Sequence, residues 1–296
     1  MPELIHNTMQ FIASLFAATA IHSAAPAATA DLLPLQHSIP GGLMVIPLTD
    51  AVQAPEVTFN KQQVMVLRPD EQQPWMALVG IPLSQKTGPA SINSGDEQIR
   101  FEVRDHPYPE QHLTVKKKHV NPSAAELARI RKEQAQMARV YTSFSPARPW
   151  QPMAWPVSGT MSSAFGLKRF FNGEQRSPHS GLDIAAPTGT PILAPADGKV
   201  VLTGNFFFNG NSVFIDHGQG LISMFCHMSA IDVQEGDEVS AGSLLGKVGA
   251  TGRATGPHLH WTVSLNNARI NPLLLMSPLR GGNLLSAAAN GGHHGG

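Results

Sequence analysis

Cysteine is almost missing from this chain: Cys226 is the only one in 296 residues. That excludes a disulfide framework within the chain, a cysteine-based zinc site and a lipid-modified N-terminal cysteine. Cys226 itself reads as a small buried apolar residue. An excess of either charge is missing too, since Lys+Arg and Asp+Glu number 21 each. A formal net charge of zero argues against a nucleic-acid partner and gives no long-range pull toward polyanions. Tyrosine is down to two, whereas 27 Gly and 24 Pro imply many turns. With 42% hydrophobic and 14% charged residues the chain is globular, long enough for one large domain or two ordinary ones.

Long apolar runs are lacking as well, except near the start. Phe11 to Ile21 has the character of a secretory h-region, followed by small-residue patterns that end at Ala27 and at Ala30, the two candidate cleavage sites. The n-region departs from the usual pattern, carrying Glu3 and His6 without Lys or Arg. The run is short of the ~20 residues a membrane span needs. A signal peptide over residues 1–30 is therefore expected, with export to the periplasm or cell envelope and no stable membrane span after its removal.

The remainder reads as mainly β. Val64-Met-Val-Leu67 and Trp75-Met-Ala-Leu-Val79 flank a turn-rich insert, Arg68 to Pro74, that suits a hairpin. Ile99, Phe101 and Val103 alternate with charged residues, as in a half-buried strand. Leu113 and Val115 begin another, ending in Lys116 to Lys118, the marks of a solvated strand edge. These give a small β-sandwich-like domain over residues 31–120. A linking helix follows over 121–141, capped by Asn121 or by the alternative capping box Ser123/Glu126. Leu127, Ile130, Met137 and Tyr141 form its apolar stripe, interrupted by Gln134. Pro146, Pro149, Pro152 and Pro156 stiffen a linker to residue 156, and residues 277–296 form a flexible tail.

From Val157 strands and glycine turns dominate, and residues 157–276 form the C-terminal domain. Asn209-Gly210 predicts a two-residue hairpin turn, and Gly218-Gln-Gly220 leads into a strand from Leu221 to Met228. Val233 to Gly246 is similar to the folded-over sheets of biotinyl and lipoyl carriers, but Lys247 sits within an apolar strand where a carrier lysine would need a turn. The carrier reading is set aside.

Three stretches suit chemistry. Pro178-His-Ser-Gly-Leu-Asp183 places His179 and Asp183 an even number of residues apart, which aligns them on one face of an extended strand. An imidazole and a carboxylate are suitable zinc ligands, and one further histidine completes a three-ligand set. Gly256-Pro-His-Leu-His260 offers His258 or His260 on one strand face, and the residues alone do not choose between them. His227 lies in Ile222 to Met228, where alternation puts it with Phe225 and Ser223 and turns Cys226 and Met224 away. His217 reads as a turn residue; His106, His112, His119 and the tail histidines join no ligand set.

In this order, His179-x-x-x-Asp183, Phe225-Cys-His227-Met and Gly256-Pro-His-Leu-His260 resemble the lysostaphin-like zinc endopeptidases that cut peptidoglycan cross-links. Ser163-Ala-Phe-Gly166, Gly189-Thr-Pro-Ile192, Ala196-Asp-Gly-Lys-Val200 and Val248-Gly-Ala-Thr-Gly252 extend the resemblance over about residues 157 to 275. The segment from 40 to 120 is similar to the β-domain ahead of the peptidase domain in some exported members. The resemblance implies an antiparallel, folded-over, barrel-sandwich-like sheet with a zinc site in a groove. It implies one Zn²⁺ per chain held by His179, Asp183 and His260, with His258 and His227 as catalytic imidazoles, and hydrolysis of peptidoglycan cross-link peptides by a metal-activated water. Phe225, Cys226 and Trp261 depart from common family residues without removing a ligand. The alternatives are a non-catalytic regulator of other wall hydrolases, which would lack part of this set, and a zinc peptidase acting on soluble peptides. Residues 31 to 141 are expected to cover part of the groove and hold the enzyme latent; the bond cleaved, the oligomeric state and any regulatory protein are not written in the sequence.

Overall fold

In the computed structural model, which describes residues 33–49, 51–114 and 122–276, strands account for most of the ordered backbone. The expected signal peptide, Val115 with the Lys116–His119 run, Asn121 and the C-terminal tail lie outside the described residues. The N-terminal strands are β1 (Leu43–Pro47), β2 (Val57–Phe59), β3 (Gln62–Gln63), β4 (Met65–Leu67), β5 (Met76–Gly80), β6 (Gly88–Ser94), β7 (Glu97–Val103) and β8 (Glu110–Leu113). After α1 (Ala124–Tyr141) come β9 (Thr160–Ser163), β10 (Lys168–Phe171), β11 (Glu174–Gln175), β12 (Leu182–Ala185), β13 (Pro191–Leu193), β14 (Gly198–Phe206) and β15 (Gly210–Asp216). The chain continues with β16 (Ile222–Met228), β17 (Ala230–Ile231), β18 (Glu238–Val239), β19 (Leu244–Lys247), β20 (His258–Leu265) and β21 (Ala268–Ile270).

The apolar runs at β1, β4 and β5 have a simple cause: their sheet, in the order β1-β5-β4, is buried on both faces. Ile46, Val66, Ala77 and Val79 pack toward Val57, Phe59 and Ile92 of a second sheet, β3-β2-β6-β7. Leu43, Val45, Met65, Leu67 and Leu78 point the other way, into the largest core, with Leu265 and Ile270 of the C-terminal sheet. Two amide side chains tie the layers further. Asn266 gives and accepts a hydrogen bond with the Gly80 backbone, at 2.9 and 2.7 Å, and Gln219 does the same for Val66 at 3.1 and 3.0 Å. The hairpin expected around Arg68 to Pro74 is present, and β7 keeps the alternation of Ile99, Phe101 and Val103.

The C-terminal part is an eight-stranded antiparallel sheet in the order β18-β14-β15-β16-β20-β12-β9, with β21 paired to β20, next to a three-stranded sheet, β13-β19-β17. A third piece departs from the antiparallel expectation: β8, from the N-terminal half, pairs parallel with β10, which also pairs with β11. The hairpin at Asn209-Gly210 also differs in detail. Phe206 pairs directly with Gly210, so the connection is Phe207 to Asn209. Gly210 sits at φ +65°, the left-handed position that closes a three-residue loop.

The helix starts at Ala124, not at residue 121. Ser123 caps it through the capping box, its Oγ accepting from the Glu126 N–H while Glu126 accepts from the Ser123 N–H at 2.8 Å. Tyr141 is buried against Phe214, Ile222 and Met224, with Met137 and Val140 beside it. Leu127, expected on the buried stripe, is exposed, so the docking runs from Ile130 to Tyr141. No helix among the described residues is long and apolar enough to cross a membrane.

Candidate metal centre

Strand pairing builds half of the site. β12 and β20 are antiparallel neighbours, and Asp183 lies directly opposite His260. The pair brings Asp183 Oδ1 to 2.7 Å from His260 Nδ1. His258 and His260 share the outward face of β20, while Leu259 and Trp261 are buried on the other, as period-two alternation requires. His179 arrives differently from the expectation. It precedes β12 in an irregular loop, not in a strand shared with Asp183. Its backbone is held by bonds from His179 N to Leu167 O and from Gly166 N to His179 O. Gly181 lets that loop lie against β20: a Cβ there would stand 2.5 Å from Trp261 O and 2.8 Å from a His260 ring carbon.

His179 Nε2 lies 2.9 Å from Asp183 Oδ1 and 3.1 Å from His260 Nδ1. His179 gives its Nδ1 proton to the Ala164 carbonyl at 2.7 Å, and burial pushes its pKa down to about 4. Neutral imidazole protonated at Nδ1 has a bare Nε2. That lone pair faces the carboxylate of Asp183. His260 Nε2 is engaged by Thr262 Oγ1 at 2.9 Å, which leaves Nδ1 to face the same point. Three ligand atoms, His179 Nε2, His260 Nδ1 and Asp183 Oδ1, thus lie around one point that a cation could share. The donor set therefore fits a metal ion, and imidazole, imidazole and carboxylate suit zinc. Outer contacts from a carbonyl and a hydroxyl to the distal ring nitrogens are what ligating histidines commonly have.

His227 lies beside this set, but not by the alternation read from sequence. It sits at φ +62°, and the β15–β16 register slips just there, between Asn211 and Val213. The kink turns His227 away from the face of Phe225 and onto that of Met224, so both Met224 and His227 line the cleft. Phe225 and Met228 pack together in the main core. Cys226, fully buried with its thiol pushed up to about 12, is not in the donor set. His227 Nδ1 donates to Thr251 O at 2.8 Å, and burial, with His260 and His258 nearby, lowers its pKa to about 3. His258 Nδ1 donates to Gly256 O at 2.9 Å. Each ring therefore turns its Nε2 toward the cleft, with ring centres 4.8 Å apart and His258 Nε2 at 3.9 Å from Asp183 Oδ1.

The cleft has a volume of about 410 Å³, and Leu113 with Ile130, Glu133, Gln134 and Met137 of α1 line one side of it. Sequence reading missed its arginines. Arg169 Nη2 binds Asp183 Oδ2 at 2.8 Å and Arg169 Nε binds Gln111 Oε1 at 3.1 Å. Arg253 also lines the cleft. In sequence neither differs from a solvated surface arginine, and only Arg169's place five residues after Ser163-Ala hints at the site. His217 is a buried turn residue, bonded to Asp197 O and Ser223 Oγ. His106 packs on His37 and Tyr108, and His112 stacks on Phe170 at 4.6 Å.

Comparison with known proteins gives the family. Residues 177–272 match the model of Peptidase family M23, and residues 36–106 match that of the Peptidase family M23 N-terminal domain. A DD-carboxypeptidase/endopeptidase Mpg of Neisseria meningitidis serogroup B is 43% identical over 118 residues, 40% of this chain and 27% of that protein. The peptidoglycan DD-endopeptidase ShyA of Vibrio cholerae serotype O1 is 39% identical over 120 residues, 40% of this chain and 28% of that one. The matches thus span little more than a quarter of these curated relatives. The crystal structure of a putative peptidase M23 from Pseudomonas aeruginosa is 44% identical, with a TM-score of 0.70, covering 82% of this chain and 96% of that one. A match of nearly full length at that identity settles the family: the chain belongs to peptidase family M23.

Proposed function

We propose that the protein is a zinc-dependent endopeptidase that hydrolyses the peptide cross-links of peptidoglycan. The observation that carries the reading is the convergence of His179 Nε2, His260 Nδ1 and Asp183 Oδ1 on one point, beside the rings of His227 and His258. His179, Asp183 and His260 are the metal ligands; His227 and His258 are the catalytic residues. A zinc ion held there would supply Lewis-acid chemistry, lowering the pKa of water toward ~7 and polarising the peptide carbonyl. The protein's part is proton handling and alignment. The bare Nε2 of His258 or of His227 takes a proton from the attacking water and returns it to the leaving amine. The carbonyls of Gly256 and Thr251 fix both rings in the tautomer that makes this possible. Arg169 holds Asp183 by its second oxygen, which leaves Oδ1 with His179 and His260, where it would serve as a ligand.

The names of the relatives support peptidoglycan as substrate and the cell envelope as location. A regulator without catalysis would lack part of the five-residue set, all of which is present. The proposed division is a signal peptide over 1–30, a β-domain over 31–120, a helix and linker over 121–156, the peptidase over 157–276 and a tail to 296. The side chains of α1 along the cleft support partial covering of the groove by the segment before the linker. Zinc quantification with mass spectrometry of digested peptidoglycan tests the reading. Release of peptide dimers as monomers is the expected product, and a metal-free protein that leaves wall intact after zinc addition contradicts it.

A further inference from the structure

One cation in the cleft has no carboxylate partner among the described residues. Arg253, in the loop between β19 and β20, lies with its guanidinium carbon 4.8 Å from the ring centre of Phe171 and 4.5 Å from that of Phe208. Its backbone is pinned by a bond from Arg253 N to Phe208 O at 2.8 Å. Among the described residues no carboxylate pairs with it, whereas the nearby Arg169 and Arg176 carry its own sign. Those two neighbours are already committed, Arg169 to Asp183 and Arg176 to Glu174. The acids lining the cleft are committed as well. Asp183 is taken by His179, His260 and Arg169, and Glu133 binds Arg129 Nε at 2.6 Å and the Phe207 N–H at 2.8 Å.

Burial and the two like charges lower the Arg253 pKa to about 10, a sign that the cation is held where it lacks compensation. A guanidinium next to phenyl rings keeps its N–H edge as its polar surface. That edge is a planar fork that matches the two oxygens of a carboxylate. The chain as a whole is neutral, so this concentration of three arginines along one cleft is local.

We infer that Arg253 is a substrate-binding residue that takes a carboxylate of the peptide close to the scissile bond, making the enzyme selective for anionic cross-links. This deepens the hydrolase reading and rests on it. The carboxylate is either one borne on a residue inside the cross-link or the free end of the peptide. A stacking role alone would need only the aliphatic stem and a flat end, which glutamine approximates.

The test uses the full-length, zinc-loaded protein with Arg253→Gln and Arg253→Lys. Three versions of one cross-linked peptide dimer are compared: all carboxylates free, the interior one beside the scissile bond amidated, and the terminal one amidated. For the wild type, amidation of one of the two raises KM about 10- to 100-fold with kcat little changed, which identifies the source. Arg253→Gln raises KM for the free dimer by the same factor and no longer distinguishes the three. Arg253→Lys, which keeps the charge and loses the fork, falls between. Calorimetric titration of the cleavage product and its amide gives the same ranking without turnover. Equal wild-type KM values for all three dimers, or discrimination that survives in Arg253→Gln, overturn the inference while the hydrolase reading stands. Cleavage of none of the dimers overturns that reading instead, and calorimetry still decides on the carboxylate site.

Discussion

Gln111 of β8 accepts a hydrogen bond from Arg169 of β10 at 3.1 Å, across the one parallel pairing described between the N-terminal half and the C-terminal sheets. Arg169 in turn holds Asp183, and the Gln111 amide donates to Ser163 Oγ at 3.2 Å. The N-terminal half thus reaches the outer contacts of Asp183, a proposed metal ligand. Outer partners of this kind change metal affinity or activity by about 10- to 100-fold when removed. Gln111→Ala is expected to weaken zinc binding by about tenfold with little change in Tm, and Gln111→Glu, which restores an acceptor for Arg169, to recover most of it. Competition with a chelator reads this out; unchanged zinc affinity in Gln111→Ala would show that the contact is ornamental.

Gly181 is required by space, since its φ is ordinary. A methyl group there meets Trp261 O, the His260 ring and Thr262 Oγ1, all at 2.8 Å or less. Gly181→Ala must push the His179 loop off β20, and overpacking of this sort costs about 1–3 kcal/mol. The expected result is a lower Tm together with reduced zinc content. Gly256→Ala, whose Cβ meets nothing within 4 Å, serves as the control and should melt like the wild type.

His217 is fully buried and neutral, its pKa pushed down from 6.5 to about 4 by burial, against the raising effects of the Asp197 carbonyl and Asp216. Unfolding frees it to bind a proton near pH 6.5. Between pH 6.5 and about 4 the unfolded state therefore holds the extra proton, and the stability this residue contributes is whole above pH 6.5 and falls as the pH drops through that window. At ~1.4 kcal/mol per pH unit the loss reaches about 3 kcal/mol by pH 4. Urea midpoints of wild type and His217→Gln should converge as the pH falls from 7.5 to 4.5. A gap that stays constant would assign the acid sensitivity to other groups.

Glu133 ties α1 to the rim of the cleft through the Phe207 N–H and Arg129, and Arg129 Nη2 reaches the Asn205 carbonyl at 2.9 Å. If the helix covers the groove, the accessible state is a fraction of the molecules, and loosening the tie raises that fraction. Glu133→Ala is expected to speed release of peptides from intact wall while leaving kcat on a short soluble cross-link dimer unchanged. Equal rates on wall would remove the helix from any covering role.

How far the sequence led depended on whether a feature was local. His258 and His260 follow from alternation along one strand, and the Ser123/Glu126 capping box sits within four residues; both are legible. So are the turn at Gly218 to Gly220 and the buried character of β4 and β5. His227 is different. Its place depends on a left-handed residue and a slip in the β15–β16 register, and a strand read as regular assigns it the wrong face. His179 reaches Asp183 through a loop whose path is set by Gly181 against β20, a contact between residues some 80 positions apart. Gln111 and Arg253 carry no mark in the sequence, and Arg169 only its place after Ser163-Ala, because what distinguishes them is the partner each has, or lacks, in space.

The proposed function divides labour between neighbouring imidazoles: His260 would hold the metal, and His258, two residues away, would handle protons. Zinc content of purified His260→Ala and His258→Ala, measured beside the wild type and with turnover on a peptide dimer, tests it most directly. The expected outcome is about one ion per chain in the wild type and in His258→Ala, with turnover lost in the latter, and little zinc in His260→Ala. Retention of zinc by His260→Ala together with its loss from His258→Ala would contradict the assignment.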